Sequence, residues 1–215
     1  LMIFSSIKTF LFIHALVLKK YSILRIMQII EIKKLLLNGS ILDVGSKKSL
    51  SNVTNYLNSR EKVNYADKNS DNDNDIKIDL EVLNEFKCTT FNNVLLFNVL
   101  EHVYNYKNCL KNCHLILKNN GCFYGSTPFL FRIHGSPNDY FRYTDQSILK
   151  SLNEVGFRDI KIKTIGGGIF ICFYSSISLI TNKVPLLNNI LLFFCQILDF
   201  VISLFSKNMK HIFPL

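Results

Sequence analysis

The sequence predicts an α/β fold, a doubly wound and mostly parallel sheet with helices on its faces. Three observations carry this reading. Short apolar runs recur through the middle of the chain and close on Gly, Asp or Asn, as Ile41-Leu42-Asp43-Val44-Gly45 does. Runs of that kind are buried parallel strands. Segments of helical spacing separate them, so strand and helix alternate, and polar loops fall at the strand ends. The chain has 215 residues, 48% of them hydrophobic and 13% aromatic, with 9 Gly and 4 Pro. That is enough for one domain with a full core, and it excludes a disordered or collagen-like chain.

Each element follows from its residues. Residues 1–37 hold no Gly or Pro and read as helical, and Asn38-Gly39-Ser40 stops them. Ile41 to Gly45 is the first strand, Ser49 to Ser59 fits a helix, and Lys62 to Ala66 is the second strand, ending at Asp67. The tract 69–75 is polar and acidic and reads as a loop; Ile76 to Leu80 is short and alternating. Asn93 to Asn98 is the third strong strand. Leu110 to Lys118 is helical, stopped by Asn119-Asn120-Gly121, and Cys122 to Ser126 is a strand ended by Pro128. Gln146 to Val155 is a helix closed by Gly156, and Asp159 to Thr164 reads as a further strand. The domain organisation expected is a helical flank over 1–37, a central domain over 38–165 and an apolar helical segment over 166–215.

Charge divides the same way. The net charge is +9: residues 1–40 carry +5, residues 41–146 are neutral and residues 147–215 carry +4. The positive excess thus sits on the most apolar parts. Basic charge mixed with Leu, Ile and Phe points to an anionic membrane surface, or to Lys that keeps an apolar protein soluble. A neutral centre with no aromatic-basic strip argues against nucleic acid. Residues 1–18 lack a basic leader and a small-residue cleavage site, which argues against a signal peptide. Six Cys occur without a CxxC pair. Cys109, Cys113 and His114 share one helix with no second ligand pair, so no metal site is expected, and a reducing compartment is.

Ligands on doubly wound sheets bind beyond the carboxyl ends of the strands. The polar residues there are Asp43 and Gly45, Asp67, Asp79, then Asn98, Glu101 and His102, and Thr127. Seven pieces in this order carry a resemblance: ILDVGS (41–46), NYADK (64–68), DIKIDLE (75–81), FNVLEHVYN (97–105), LKNNGCFYGSTPF (117–129), HGSPNDYFRYT (134–144) and EVGF (154–157). Together they resemble the class I S-adenosylmethionine-dependent methyltransferases of the type 11 group, over about residues 41–157. The resemblance implies a Rossmann-like fold, S-adenosylmethionine as cofactor and methyl transfer as the reaction. It implies cofactor contacts from Asp43, Gly45, Ser46, Asp67, Asp79, Leu80, Asn98 and Glu101. Gly45 admits the cofactor's amino-acid end, where a helix N-terminus offers N–H groups to its carboxylate. Asp67 suits the ribose hydroxyls, and Asp79 the adenine amino group with Leu80 against the ring.

On the acceptor side, an oxygen nucleophile wants a base, and His102 and His134 stand near strand ends. Asp139, Tyr140, Arg142 and Tyr143 are the substrate-side candidates; Asp139 and Arg142 read equally as an ion pair bracing their loop. The resemblance implies a second Gly two positions after Gly45, where this chain has Lys47 within Ser46-Lys47-Lys48. A non-catalytic binding or assembly module is therefore the alternative reading.

In the C-terminal segment Asn188, Asn189, Gln196, Asp199, Ser203, Ser206 and Lys207 share one helical stripe, with Leu192 the exception, and the rest of the circumference is apolar. So broad an apolar arc suits a membrane interface, a dimer or a core. The family's last strand is expected to be absent or incomplete. The acceptor expected is a small molecule, glycan or lipid-linked sugar, met in the cytoplasm at the inner face of the membrane.

Overall fold

The computed structural model describes residues 7–45, 53–69, 75–83, 90–135 and 137–205. The chain falls into two compact units. One comprises residues 31–127 and 133–162; the other comprises residues 1–30, 128–132 and 163–215.

The first of these holds the sheet. Its strands are β1 (Ile41–Val44), β2 (Val63–Ala66), β3 (Phe91–Phe97) and β4 (Leu117–Ser126), in the order β2-β1-β3-β4. Every pairing is parallel. β1 is flanked on both sides and all four of its residues are buried. Alternation splits the core between two faces. Leu42, Val44, Val94 and Leu96 pack with Cys109, Leu110, Cys113 and Ile116 of α3 (Tyr106–Ile116) and Leu152 of α4 (Asp145–Val155). Ile41 and Leu95 point the other way and pack with Leu37. α4 is held at both ends: the Thr144 side chain accepts from Ser147 N–H, and Gly156 closes it at φ +110°.

Several expectations are corrected. The helix expected from Leu110 begins at Tyr106. Tyr106, Cys109, Leu110, Cys113 and Ile116 form one continuous inward stripe, so the earlier turn has a face to bury. It ends at Ile116 because β4 starts at the next residue. Lys118 to Gly121 bulge from β4, whose register on β3 jumps from Leu117 opposite Phe91 to Cys122 opposite Asn93. Of the helix expected over Ser49 to Ser59, residues 49–52 lie outside the described residues, and Val53–Tyr56 is one 3₁₀ turn. Asn58 then bridges to Leu36, which draws the chain out of helix. Ile76 contributes a single bridge to Ala66. Asp159 to Thr164 forms no strand. Its backbone finds no strand to pair with among the described residues; Ile160 only packs on the core.

The other unit is helical: α1 (Ile7–Leu18), most of α2 (Ile23–Ile32), α5 (Ile169–Thr181) and α6 (Pro185–Phe205). The helical flank is thus interrupted at Lys19 to Ser22, where Lys20 takes φ +63°. α6 is long and apolar enough to cross a membrane by length and composition. Its polar stripe faces inward. Asn188, Gln196 and Asp199 are buried, whereas Leu186, Leu187, Phe194, Leu198, Leu204 and Phe205 are exposed. The buried stripe is hydrogen-bonded. Gln196 Oε1 lies 3.0 Å from His14 Nε2, Asn189 Oδ1 meets His14 Nδ1, and Asn188 bonds Thr181 and Asn182. Asp199 accepts the N–H groups of Phe170 and Ile171 at 3.0 and 2.8 Å, serving as the N-cap that Gly168 has no side chain to provide.

Candidate functional site

Because the strands are parallel, their carboxyl ends share one edge of the sheet. The chain moves outward from β1 in both directions, so the switch point falls between β1 and β3. Gly45 closes β1 at φ +78°, its N–H donating to Ala66 O at 2.7 Å. A Cβ there would lie 2.6 Å from Val99 Cγ1, so the turn admits glycine alone. Asn98 closes β3 at φ +54°, its N–H donating to Ser126 O. Asp43 lies fully buried within β1. Ser46, with Lys47 and Lys48, lies outside the described residues.

Asp67 stands at the end of β2, half-buried, its Oδ1 accepting the Asn69 N–H at 2.7 Å. Asp79 pairs with Lys68 at 2.6 Å and accepts the Glu81 N–H. The Lys68 hydrogen bond, with help from that N–H, holds the Asp79 carboxyl below its ordinary range. Leu80 packs on the sheet core.

A second set gathers around the 3₁₀ turn Leu100–His102 that follows β3. The loop 133–144 folds back over this turn. The N–H groups of Tyr140 and Phe141 donate to Glu101 O, and Tyr143 OH donates to Leu100 O. Burial pushes the Tyr143 phenol well up. Arg142 engages Asp139 through both guanidinium nitrogens, and Asp139 Oδ2 also accepts the His134 N–H at 2.8 Å. Arg142 therefore holds the Asp139 carboxyl far below its usual range. Tyr140 meets the exposed Tyr104 edge to face.

Glu101 is fully buried at the centre, and neither of its carboxylate oxygens has a hydrogen-bond partner. Its Oε1 lies 3.7 Å from His102 Nε2 and 3.8 Å from His134 Nε2. Burial pushes its carboxyl up to about 7. The structure thus brings His102, His134, Asp139, Tyr140, Arg142 and Tyr143 into one cluster with Glu101, while Gly45, Asp67, Asp79 and Asn98 stand at strand ends. The sequence put Glu101 with the cofactor contacts and did not find its position between two imidazoles. Nor did it find the Asn138 carbonyl, which lies 2.6 Å from His102 Nδ1 and has no side-chain signature.

Residues 38–125 match the model of a methyltransferase domain family of the type 11 group. No curated protein matches the chain. Among solved structures, BH2331 from Bacillus halodurans C-125, a methyltransferase by assignment, superposes with a TM-score of 0.51 at 16% identity, covering 74% of this chain and 80% of its own. The [4+2]-cyclase SpnF superposes with a TM-score of 0.52 at 12% identity, covering 75% and 69%. Both likenesses show the fold, and the second shows that this fold also hosts another chemistry. The matched segment carries the parallel sheet, whose strand order is that of the Rossmann-like methyltransferase fold. The cofactor implied for a methyltransferase domain of this group is S-adenosylmethionine. The residues present fit that group. Gly45 keeps the end of β1 clear of a side chain, and Asp67 offers a half-exposed carboxylate at the end of the neighbouring strand.

Proposed function

We propose that the chain transfers a methyl group from S-adenosylmethionine to an acceptor held beside Glu101, His102 and His134. The observation that carries this reading is the adjacency of two sets on one sheet edge: the Gly45 turn at the switch point, and a titratable cluster starting three residues beyond Asn98. S-adenosylmethionine supplies an electrophilic methyl group when bound. The chain's own residues hold it at Gly45 and Asp67, align the acceptor and manage the acceptor's proton. Asp139 beside His134 Nδ1 orients that ring, and Arg142 keeps Asp139 ionised and in place.

The acceptor is a surface glycan or lipid-linked sugar, and the chain works at the cytoplasmic face of a membrane. What supports this is the helical unit, whose polar groups point inward and whose Leu, Ile and Phe side chains point out, in a segment of net positive charge.

Calorimetry with S-adenosylhomocysteine tests the reading, beside an Asp67→Ala variant. Micromolar binding that the variant loses supports it. A folded chain that does not bind leaves the assembly-module reading that Lys47 suggests.

A further inference from the structure

Glu101 combines full burial with two oxygens that make no hydrogen bond. A buried carboxylate persists only when neutralised, by a proton or by a cation. Arg142 is the nearby cation, and its fork is engaged by Asp139. What faces Glu101 instead is two imidazole nitrogens. Both rings turn the same atom inward: His102 and His134 each present Nε2 to Glu101 Oε1, at 3.7 and 3.8 Å. Both turn the other nitrogen outward to an oxygen. His102 Nδ1 lies 2.6 Å from Asn138 O, a carbonyl that only accepts, so Nδ1 is the donating nitrogen and Nε2 is the one turned to Glu101. His134 Nδ1 lies 3.4 Å from Asp139 Oδ2. Ring nitrogens whose partners donate to a carbonyl or carboxylate are the usual ligands of a metal, because that bond fixes tautomer and direction.

One ligand atom from each of Glu101, His102 and His134 lies within 4.8 Å of the other two. Metal–ligand bonds of about 2.0–2.2 Å need somewhat closer ligands, so the set closes by a few tenths of an ångström per side chain. His134 comes from the returning loop and the other two from one 3₁₀ turn, and the three turn a ligand atom each toward a common point. Two imidazoles and one carboxylate with open positions suit a first-row divalent transition metal, and suit magnesium or calcium poorly.

We propose that Glu101, His102 and His134 form a binding site for a first-row divalent transition-metal ion at the carboxyl edge of the sheet. The ion presents open positions to an oxygen-bearing acceptor and acts on it as a Lewis acid. Only that last role rests on the methyl-transfer reading; ion binding does not.

The test uses the full chain, stripped with a chelator and titrated with zinc by calorimetry and with cobalt(II) by visible absorption. One equivalent per chain, with the intense bands of four- or five-coordinate cobalt, is the expected result. Glu101→Gln and His134→Gln should each weaken zinc binding by at least roughly a hundredfold, the upper end of what loss of an outer-shell partner alone costs. Should Glu101→Gln unfold, His134→Gln alone decides, since that ring is part-exposed and its replacement leaves the core intact. A folded chain that takes up no stoichiometric metal overturns the proposal. So does uptake that His134→Gln and His102→Gln leave within threefold, since the ion then sits elsewhere. S-adenosylhomocysteine titrated into the same samples separates the two readings: its binding without metal sinks the ion site alone, and metal binding without it sinks methyl transfer alone.

Discussion

Arg142 grips Asp139 with both arms of its guanidinium, one at 2.7 Å, while Asp139 also takes the His134 backbone N–H. One ion pair therefore sets both the returning loop and the placement of His134. The Asp139 side chain is 2% exposed, so loss of its partner strands a buried charge. Arg142→Ala is expected to lower the unfolding free energy by about 3 kcal/mol in urea denaturation. Arg142→Lys keeps the charge, loses the fork and should recover only part of that. An Arg142→Ala chain as stable as wild type would show the pair to be ornamental.

Gly45→Ala meets two obstacles, a φ of +78° and a Val99 methyl 2.6 Å from the new Cβ. The backbone alone costs about 1–2 kcal/mol. We expect a loss of at least that size in urea, together with weaker S-adenosylhomocysteine binding by calorimetry. Trimming the neighbour in a Gly45→Ala, Val99→Ala double variant should relieve the clash and leave the strain.

Asp199 is buried, and burial raises its carboxyl even though the Phe170 and Ile171 N–H groups favour the ion. The native chain then keeps a proton at pH values where the unfolded chain has released it. Stability from this group is accordingly full below the ordinary value of 3.8 and falls as pH rises through the native value. Asp199→Asn removes the titration. The Tm of wild type minus that of Asp199→Asn should shrink between pH 4 and pH 7. A constant difference would contradict the raised value.

The outward face of α6 can be charged without touching the core. Phe194 is 57% exposed and Leu198 44%. Phe194→Glu and Leu198→Glu should each change stability by under about 0.5 kcal/mol. Each should also reduce flotation with anionic vesicles by roughly tenfold, the scale of one buried apolar side chain. Unchanged flotation with vesicles would move the apolar face to another partner.

The strands were the legible part of this sequence. β1 and β3 read directly because strands buried on both faces are short apolar runs, whereas β2 is an edge strand buried only at Ala66. α4 read directly because Gly156 marks its end. Asp159 to Thr164 did not: its Ile-Lys alternation suits a strand, but pairing depends on a neighbour that no local pattern reveals. The stripe on α6 was visible, yet its direction was not. Periodicity says that two faces differ and is silent on which one turns inward. At the site, Gly45, Asp67 and Asn98 could be placed because strand ends can be placed. The meeting of Glu101 with His134 could not, since it depends on a loop fastened by the main-chain bond from Tyr140 N–H to Glu101 O.

The contact between His14 and the Asn189–Gln196 stretch joins segments that leave the ribosome far apart in time. At about 5–20 residues per second, α1 waits on the order of 10–40 s for α6 to be made. During that interval Leu11, 60% exposed even in the finished fold, and the rest of α1 have no helix to lie against. The sheet strands are all made by residue 126, so the sheet can be complete before α6 exists for α1 to pack on.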